Sequence, residues 1–193
     1  MYGYVKVGSA VPKLRVADCV YNKEEILKLV EAAAAKQVRV LSFPELSVTG
    51  YTCADLFFQA PLLHAAEQAI QEIAEATEAL NIFLLIGAPI AVDNQMFNCA
   101  VALYRGKLLG IVPKTHIPNY SEFYEERWFA SADDLLTEEI TYAGQNVPIG
   151  ADLIFAAADF PALKIGVEIC EDLWVPIPPS SYLSLYGATL LLN

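Results

Sequence analysis

The sequence predicts an α/β fold in a single domain, and three observations carry that prediction. From Val5 to Ile86, apolar runs and helical stripes alternate as strand, helix, strand, helix, strand, the pattern of a sheet with helices packed on it. Hairpin signals then replace the alternation, which disfavours ferredoxin-like and flavodoxin-like binding domains. Finally, 55% of the residues are hydrophobic and the mean hydropathy is +0.39. Yet the longest strongly apolar run, Ile82 to Val92, contains Gly87 and Pro89 and falls short of the ~20 residues a bilayer span needs. The apolar excess therefore implies a large core with strands covered on both faces, not a membrane span.

Val5 to Val11 reads as the first strand. Asn22 has the chemistry of a helix N-cap, with Glu25 as its capping-box partner, and the helix runs to about Lys36 with Ile26, Leu29, Val30 and Ala33 on one face. Val38 to Phe43 is a short continuous strand ended by Pro44. Pro61 opens a second helix to about Leu80, with the stripe Leu62, Ala65, Ala69, Ile73 and Ala76 opposite Glu67, Gln71, Glu75 and Glu78. Ile82 to Ile86 is the next strand. Phe97 to Tyr104 and Lys107 to Val112 form a hairpin around Arg105-Gly106. Thr115 to Gly150 is long, polar and aromatic without a clear period, and a loop of that length in a small domain is usually functional or mobile. Leu153 to Ala157 and Leu163 to Ile169 pair around Asp159-Phe160-Pro161. Val175-Pro-Ile-Pro-Pro is a rigid connector. Ser180 or Ser181 then caps a short helix to about Tyr186, and Thr189 to Leu192 begins a strand. A chain that stops inside an apolar strand reads as the front part of a longer domain or polypeptide.

Composition narrows the function classes. Twelve basic residues against 23 acidic ones give a net charge of −11, which disfavours a nucleic-acid surface. The N-terminal M-Y-G-Y-V-K-V lacks the basic and apolar regions of a signal peptide. Cys19, Cys53, Cys99 and Cys170 are widely spaced, which disfavours a zinc site or disulfide framework and suits a reducing cytoplasm.

Three reactive side chains fall at or just past the carboxyl ends of predicted strands: Glu45, Lys114 and Cys170. Open α/β sheets bind ligands at that end, so the three are expected to converge. A thiol attacks as thiolate and needs a base, for which Glu45 is available. A carbonyl under attack develops negative charge on oxygen, which Lys114 and the Glu171 backbone N–H can stabilise. The sum is acyl transfer through a thioester, followed by hydrolysis. Each residue also has a plainer reading: a core thiol, a solvated carboxylate, a surface lysine after a hairpin. A Cys–His pair is the rival arrangement. His64 reads as a surface residue early in a helix. His116, close to Lys114, stays open as a candidate but has no evident orienting partner.

At these residues the sequence resembles the nitrilase, or carbon–nitrogen hydrolase, superfamily, whose members carry Glu, Lys and Cys in this order. The matching segments are F-P-E-L-S-V-T-G-Y (Phe43 to Tyr51), P-K-T-H-I-P-N-Y-S-E-F-Y-E-E-R-W-F (Pro113 to Phe129) and G-V-E-I-C-E-D-L-W (Gly166 to Trp174). C-E-D-L-W-V-P with P-P-S-S, and Y-S-E-F-Y-E-E-R-W-F, are further similar to the glutaminase domains of glutamine-dependent NAD synthetases. The resemblance implies a nitrilase-like α-β-β-α four-layer sandwich over residues 1–193, incomplete at its C-terminus, with the synthetase domain absent. It implies Glu45 as general base, Lys114 as oxyanion stabiliser and Cys170 as nucleophile, with Tyr120, Phe123 and Glu171 in a glutamine pocket and Tyr51 as a weaker pocket candidate. Some relatives add a carboxylate near the lysine, for which Glu122, Glu125 and Glu126 are all candidates.

The implied reaction is glutamine hydrolysis that passes ammonia to the synthetase domain, which uses ATP to amidate nicotinic acid adenine dinucleotide. ATP and magnesium are expected there, and no cofactor or metal in this chain. An unfinished sandwich leaves a sheet edge prone to pair with another copy, so a homo-oligomer is expected. A stand-alone amidase or nitrilase, and a non-catalytic interaction module that kept the fold, are the alternatives.

Overall fold

The computed structural model describes residues 3–193; the first two residues of the N-terminal stretch lie outside the described residues. β1 (Val7–Ser9) is shorter than its apolar run. α1 (Cys19–Ala35) starts earlier than the Asn22 cap places it, because Asp18 is the cap and accepts from the Tyr21 N–H at 3.0 Å. Asn22 is instead fully buried, where its amide binds the Arg15 N–H and C=O and the Val48 C=O. Glu25 pairs with Lys28 and closes no capping box. Both Asp18 and Asn22 have capping chemistry, and burial of the second decides between them.

β2 (Val40–Ser42) leads through a turn to α2 (Ala60–Ala76), with Pro61 in its first turn. The helix ends at Ala76, before Leu80, and the Thr77 hydroxyl bonds back to the Ile73 carbonyl at 2.8 Å. β3 (Phe83–Val92) runs well past Ile86, and β4 (Gln95–Tyr104) returns along its whole length. Their turn, Asp93-Asn94, has φ +47° and +65°, the left-handed pair of a tight hairpin. Pro89 is tolerated within β3 because β2 pairs only with Phe83 to Leu85, so no ladder bond is lost there. β5 (Lys107–Pro113) completes a sheet ordered β1-β2-β3-β4-β5, parallel from β1 to β3 and antiparallel from β3 to β5. The aperiodic stretch from Thr115 to Gly150 contains a further hairpin, β6 (Glu139–Tyr142) and β7 (Gln145–Pro148), turning at Ala143-Gly144. These strands are short and mostly polar, so period-2 reading misses them.

β8 (Ile154–Ala156), β9 (Lys164–Val167) and β10 (Leu190–Leu192) form a second sheet with β9 in the middle. α3 (Pro179–Leu185) begins after Pro178, so neither Ser180 nor Ser181 is its cap.

Side-chain alternation then builds four layers. Leu84, Ile86, Val101 and Leu103 share one core cluster with Ile26 and Val30 of α1 and Ile70 and Ile73 of α2. Phe83, Leu85, Ala100, Ala102 and Val112 face the other way, onto Ile165, Val167 and Ile169. α3 covers the far side of the second sheet: a Cβ on Gly166 would lie 3.1 Å from the Leu183 Cβ. The order is helix, sheet, sheet, helix, an α-β-β-α sandwich. This is why β3 and β4 read as nearly continuous apolar runs.

Candidate active site

Glu45, Lys114 and Cys170 leave the carboxyl ends of β2, β5 and β9 and meet at one end of the space between the sheets. Glu45 lies in a tight turn in which Leu46 has φ +52°. That turn rests directly on the β3 backbone. A Cβ on Gly87 would lie 2.7 Å from the Pro44 carbonyl oxygen and 2.8 Å from the Glu45 carbonyl carbon. Gly87→Ala is therefore expected to push the Glu45 turn outward. It should cost about 1–3 kcal/mol of stability and, through misplacement of the carboxylate, lower kcat by about 10²-fold. Unchanged kinetics in this variant would show that Glu45 needs no such support.

Lys114 is completely buried. Its Nζ donates to Glu45 Oε1 at 2.7 Å and to Glu125 Oε2 and Oε1 at 2.9 and 3.2 Å. Burial lowers its pKa, but Glu45 and Glu125 outweigh that and raise it above 10.5. The ammonium is thus fixed as a charge. Among the three glutamates near the lysine, Glu125 is the one that reaches it. Glu122 is exposed, and Glu126 is exposed and accepts from Asn119. Tyr51 donates to Glu125 Oε1 at 2.6 Å, so its hydroxyl supports the carboxylate beside the lysine.

Cys170 follows β9 in a left-handed conformation, φ +48°, that a non-glycine residue adopts at a cost. Asn193 holds its backbone: the Cys170 N–H donates to Asn193 Oδ1 at 2.6 Å. The strained residue opens a 3₁₀ turn, Cys170–Trp174, whose first amides have no carbonyl of the turn to bond. Cys170 is exposed as a residue, yet partial desolvation of its thiol pushes the pKa above its usual 9.0. The Glu45 charge pushes the same way, and Lys114 opposes both. At neutral pH the thiol keeps its proton and needs a base to remove it. Glu45 and Cys170 border one pocket of about 370 Å³ together with Glu168, Leu173, Trp174 and Asn193.

Asp172 was not singled out in the sequence, yet it ties the site together. It is buried and accepts from the His116, Ile169 and Thr115 N–H groups at 2.7, 2.9 and 3.1 Å. One carboxylate thus clamps the cysteine turn to the segment after Lys114. Burial raises its pKa, against the pull of these amides. His116 contributes its backbone there, and His64 is exposed as expected. Asn98 was also missed. It is fully buried and donates to Glu45 Oε1 at 2.5 Å. A polar residue inside the apolar run M-F-N-C-A-V was the available signal.

Tyr120 donates to both Glu171 oxygens, at 2.9 and 3.0 Å, and Phe123 packs edge-on against Tyr120 with centroids 5.9 Å apart. Tyr120 and Glu171 also border a neighbouring cavity of about 970 Å³ with Trp128 and Ser131. Cys19, Cys53 and Cys99 are buried free thiols, and Cys99 on β4 borders the same pocket as Glu45 and Cys170. Burial lifts Cys19 to about 11.

The carbon–nitrogen hydrolase profile matches residues 6–193, nearly the whole chain. The chain belongs to the carbon–nitrogen hydrolase family. This hydrolase is 40% identical over 191 residues to a glutamine-dependent NAD(+) synthetase of Mycobacterium leprae, covering 99% of this chain and 28% of that protein. The corresponding protein of Rattus norvegicus is 31% identical, with 94% and 27% covered. The hydrolase therefore spans little more than a quarter of the length of these curated relatives. Among solved structures, a glutamine-dependent NAD(+) synthetase from Cytophaga hutchinsonii superposes with a TM-score of 0.83 at 30% identity, covering 98% of this chain and 30% of that one. An amidase from Nesterenkonia sp. superposes at 0.72 with 16% identity, covering 97% and 64%, a likeness of fold. No described helix is long and apolar enough to cross a membrane.

Proposed function

We propose that this chain hydrolyses the side-chain amide of glutamine through a thioester on Cys170, and that the ammonia serves a synthetase domain of the kind its longer relatives carry. The observation that carries the reading is the buried Lys114 ammonium bridging Glu45 and Glu125 beside Cys170.

Glu45 takes the thiol proton as sulfur attacks the amide carbon. The oxyanion that forms is stabilised by Lys114 and by the Glu171 N–H at the start of the 3₁₀ turn. The C–N bond then breaks as Glu45 returns the proton to nitrogen, and ammonia leaves. Water, deprotonated by Glu45, attacks the thioester, and glutamate leaves as the sulfur is reprotonated. The substrate's α-ammonium pairs with Glu171, which Tyr120 orients, and Phe123 backs the aromatic wall. In the full-length relatives' reaction, the ammonia would amidate nicotinic acid adenine dinucleotide at the expense of ATP, with magnesium, outside this chain. A homo-oligomer in a reducing cytoplasm, where the free cysteines persist, completes the proposal.

The test is ammonia release from glutamine beside asparagine and simple aliphatic amides, with and without Glu171→Gln. Loss of a charged contact should raise KM for glutamine by about 10–100-fold, with a smaller effect on kcat. Equal turnover of simple amides, with glutamine KM unmoved by the substitution, would favour the stand-alone amidase instead.

A further inference from the structure

Asn98 sits in β4 opposite Pro89, on the face that carries Ala100 and Ala102 into the space between the sheets. Two bonds link it to the site. Its carbonyl accepts from the Lys114 N–H at 2.8 Å, and its Nδ2 donates to Glu45 Oε1. Lys114 Nζ donates to that same Oε1. Both of these donors go to Oε1, and the Cys170 thiol lies within hydrogen-bonding reach of the same carboxylate. The Asn98 amide orientation is fixed by its neighbour, since the reverse would set Oδ1 against a carboxylate oxygen. In the orientation found, Oδ1 is buried and receives no hydrogen bond from the described residues. A fold selected for stability alone would not keep that arrangement, because an unsatisfied buried oxygen is destabilising.

We propose that Asn98 is a positioning residue for the base: with Lys114 it saturates Oε1 of Glu45 and so reserves Oε2 for proton exchange with the Cys170 thiol. The inference rests on reading Glu45 as the base. It goes beyond that reading by stating which carboxylate oxygen carries the proton and what holds the other one.

Asn98→Leu keeps the branched shape and removes both polar ends. Expected are a kcat for glutamine hydrolysis lowered by about 10²-fold, a KM nearly unchanged, and an acid limb of kcat/KM moved up by about one pH unit. The thermal midpoint should not fall, because the unsatisfied oxygen goes with the side chain. A merely structural asparagine predicts the opposite pairing, a lower midpoint with an unmoved acid limb, and that result would overturn the proposal. Asn98→Asp is the second variant, needed if the leucine protein does not fold. It sets a carboxylate beside Glu45 and must also move the acid limb upward; an unmoved limb overturns the proposal.

Alkylation of Cys170 by iodoacetamide, followed by mass spectrometry, needs no substrate and separates this inference from the functional reading. Slower alkylation of Asn98→Leu at neutral pH supports the positioning role even if the parent chain leaves glutamine intact. Parent-like alkylation and hydrolysis in the variant overturn that role and leave the glutamine reading standing.

Discussion

Cys170→Ala is expected to lower kcat/KM for amide hydrolysis by at least about 10⁴-fold, the scale seen when a nucleophile that acts as a unit with its base is removed. Stability should change little, within roughly 0.5 kcal/mol, because Cys170 is exposed and the substitution removes only the sulfur. The left-handed backbone is as costly for alanine as for cysteine, and the Asn193 bond to the backbone N–H does not depend on the side chain. Steady-state ammonia release together with a thermal melt checks both halves. Residual turnover above about a hundredth of the parent rate would mean that water, not the thiol, attacks the amide.

Lys114→Met should damage folding as well as activity. The lysine is completely buried between two carboxylates, so its removal leaves Glu45 and Glu125 facing each other without a cation. Breaking a buried ion cluster in this way costs about 3–5 kcal/mol, and loss of an oxyanion donor costs about 10²–10³-fold in kcat. Adding Glu125→Gln to the methionine variant should recover part of the stability but none of the activity, because it removes the repulsion without restoring the donor. A double variant that regains turnover would remove Lys114 from the mechanism. The same cluster sets the alkaline side of the pH profile. The folded Lys114 pKa is raised above its ordinary 10.5, so its contribution is fully present below that pH and is lost only as pH rises through the higher folded value. No alkaline loss of stability from this group should therefore begin near neutrality.

The strand ends were legible because each carries punctuation: Pro44 after β2, Pro113 closing β5, and, after β9, Cys170 where the alternation of Leu163, Ile165, Val167 and Ile169 with Lys164, Gly166 and Glu168 stops. Local pattern alone thus puts Glu45, Lys114 and Cys170 at strand ends. The hairpin at Asp93-Asn94 was not read, although its residues tolerate left-handed conformations, because the apolar run before it was cut short at Ile86. The cap of α1 went to Asn22 when Asp18 holds it. Local chemistry suits both, and only the burial of Asn22 against Arg15 and Val48 separates them. Glu125 could not be told from Glu122 and Glu126, since a short irregular turn gives no period to say which side chain points inward. Asp172 and Asn98 act through contacts with residues far along the chain, His116 and Glu45, which no local pattern encodes.

The central claim is a covalent bond between Cys170 and the acyl group of the substrate. Rapid acid quenching of the chain with glutamine, followed by peptide mass spectrometry, reads that bond directly. The account predicts a γ-glutamyl increment confined to the peptide that carries Cys170, absent from Cys170→Ala and from the buried Cys19, Cys53 and Cys99. Ammonia released at the parent rate with Cys170 unmodified at every quench time, or by Cys170→Ala itself, would contradict it.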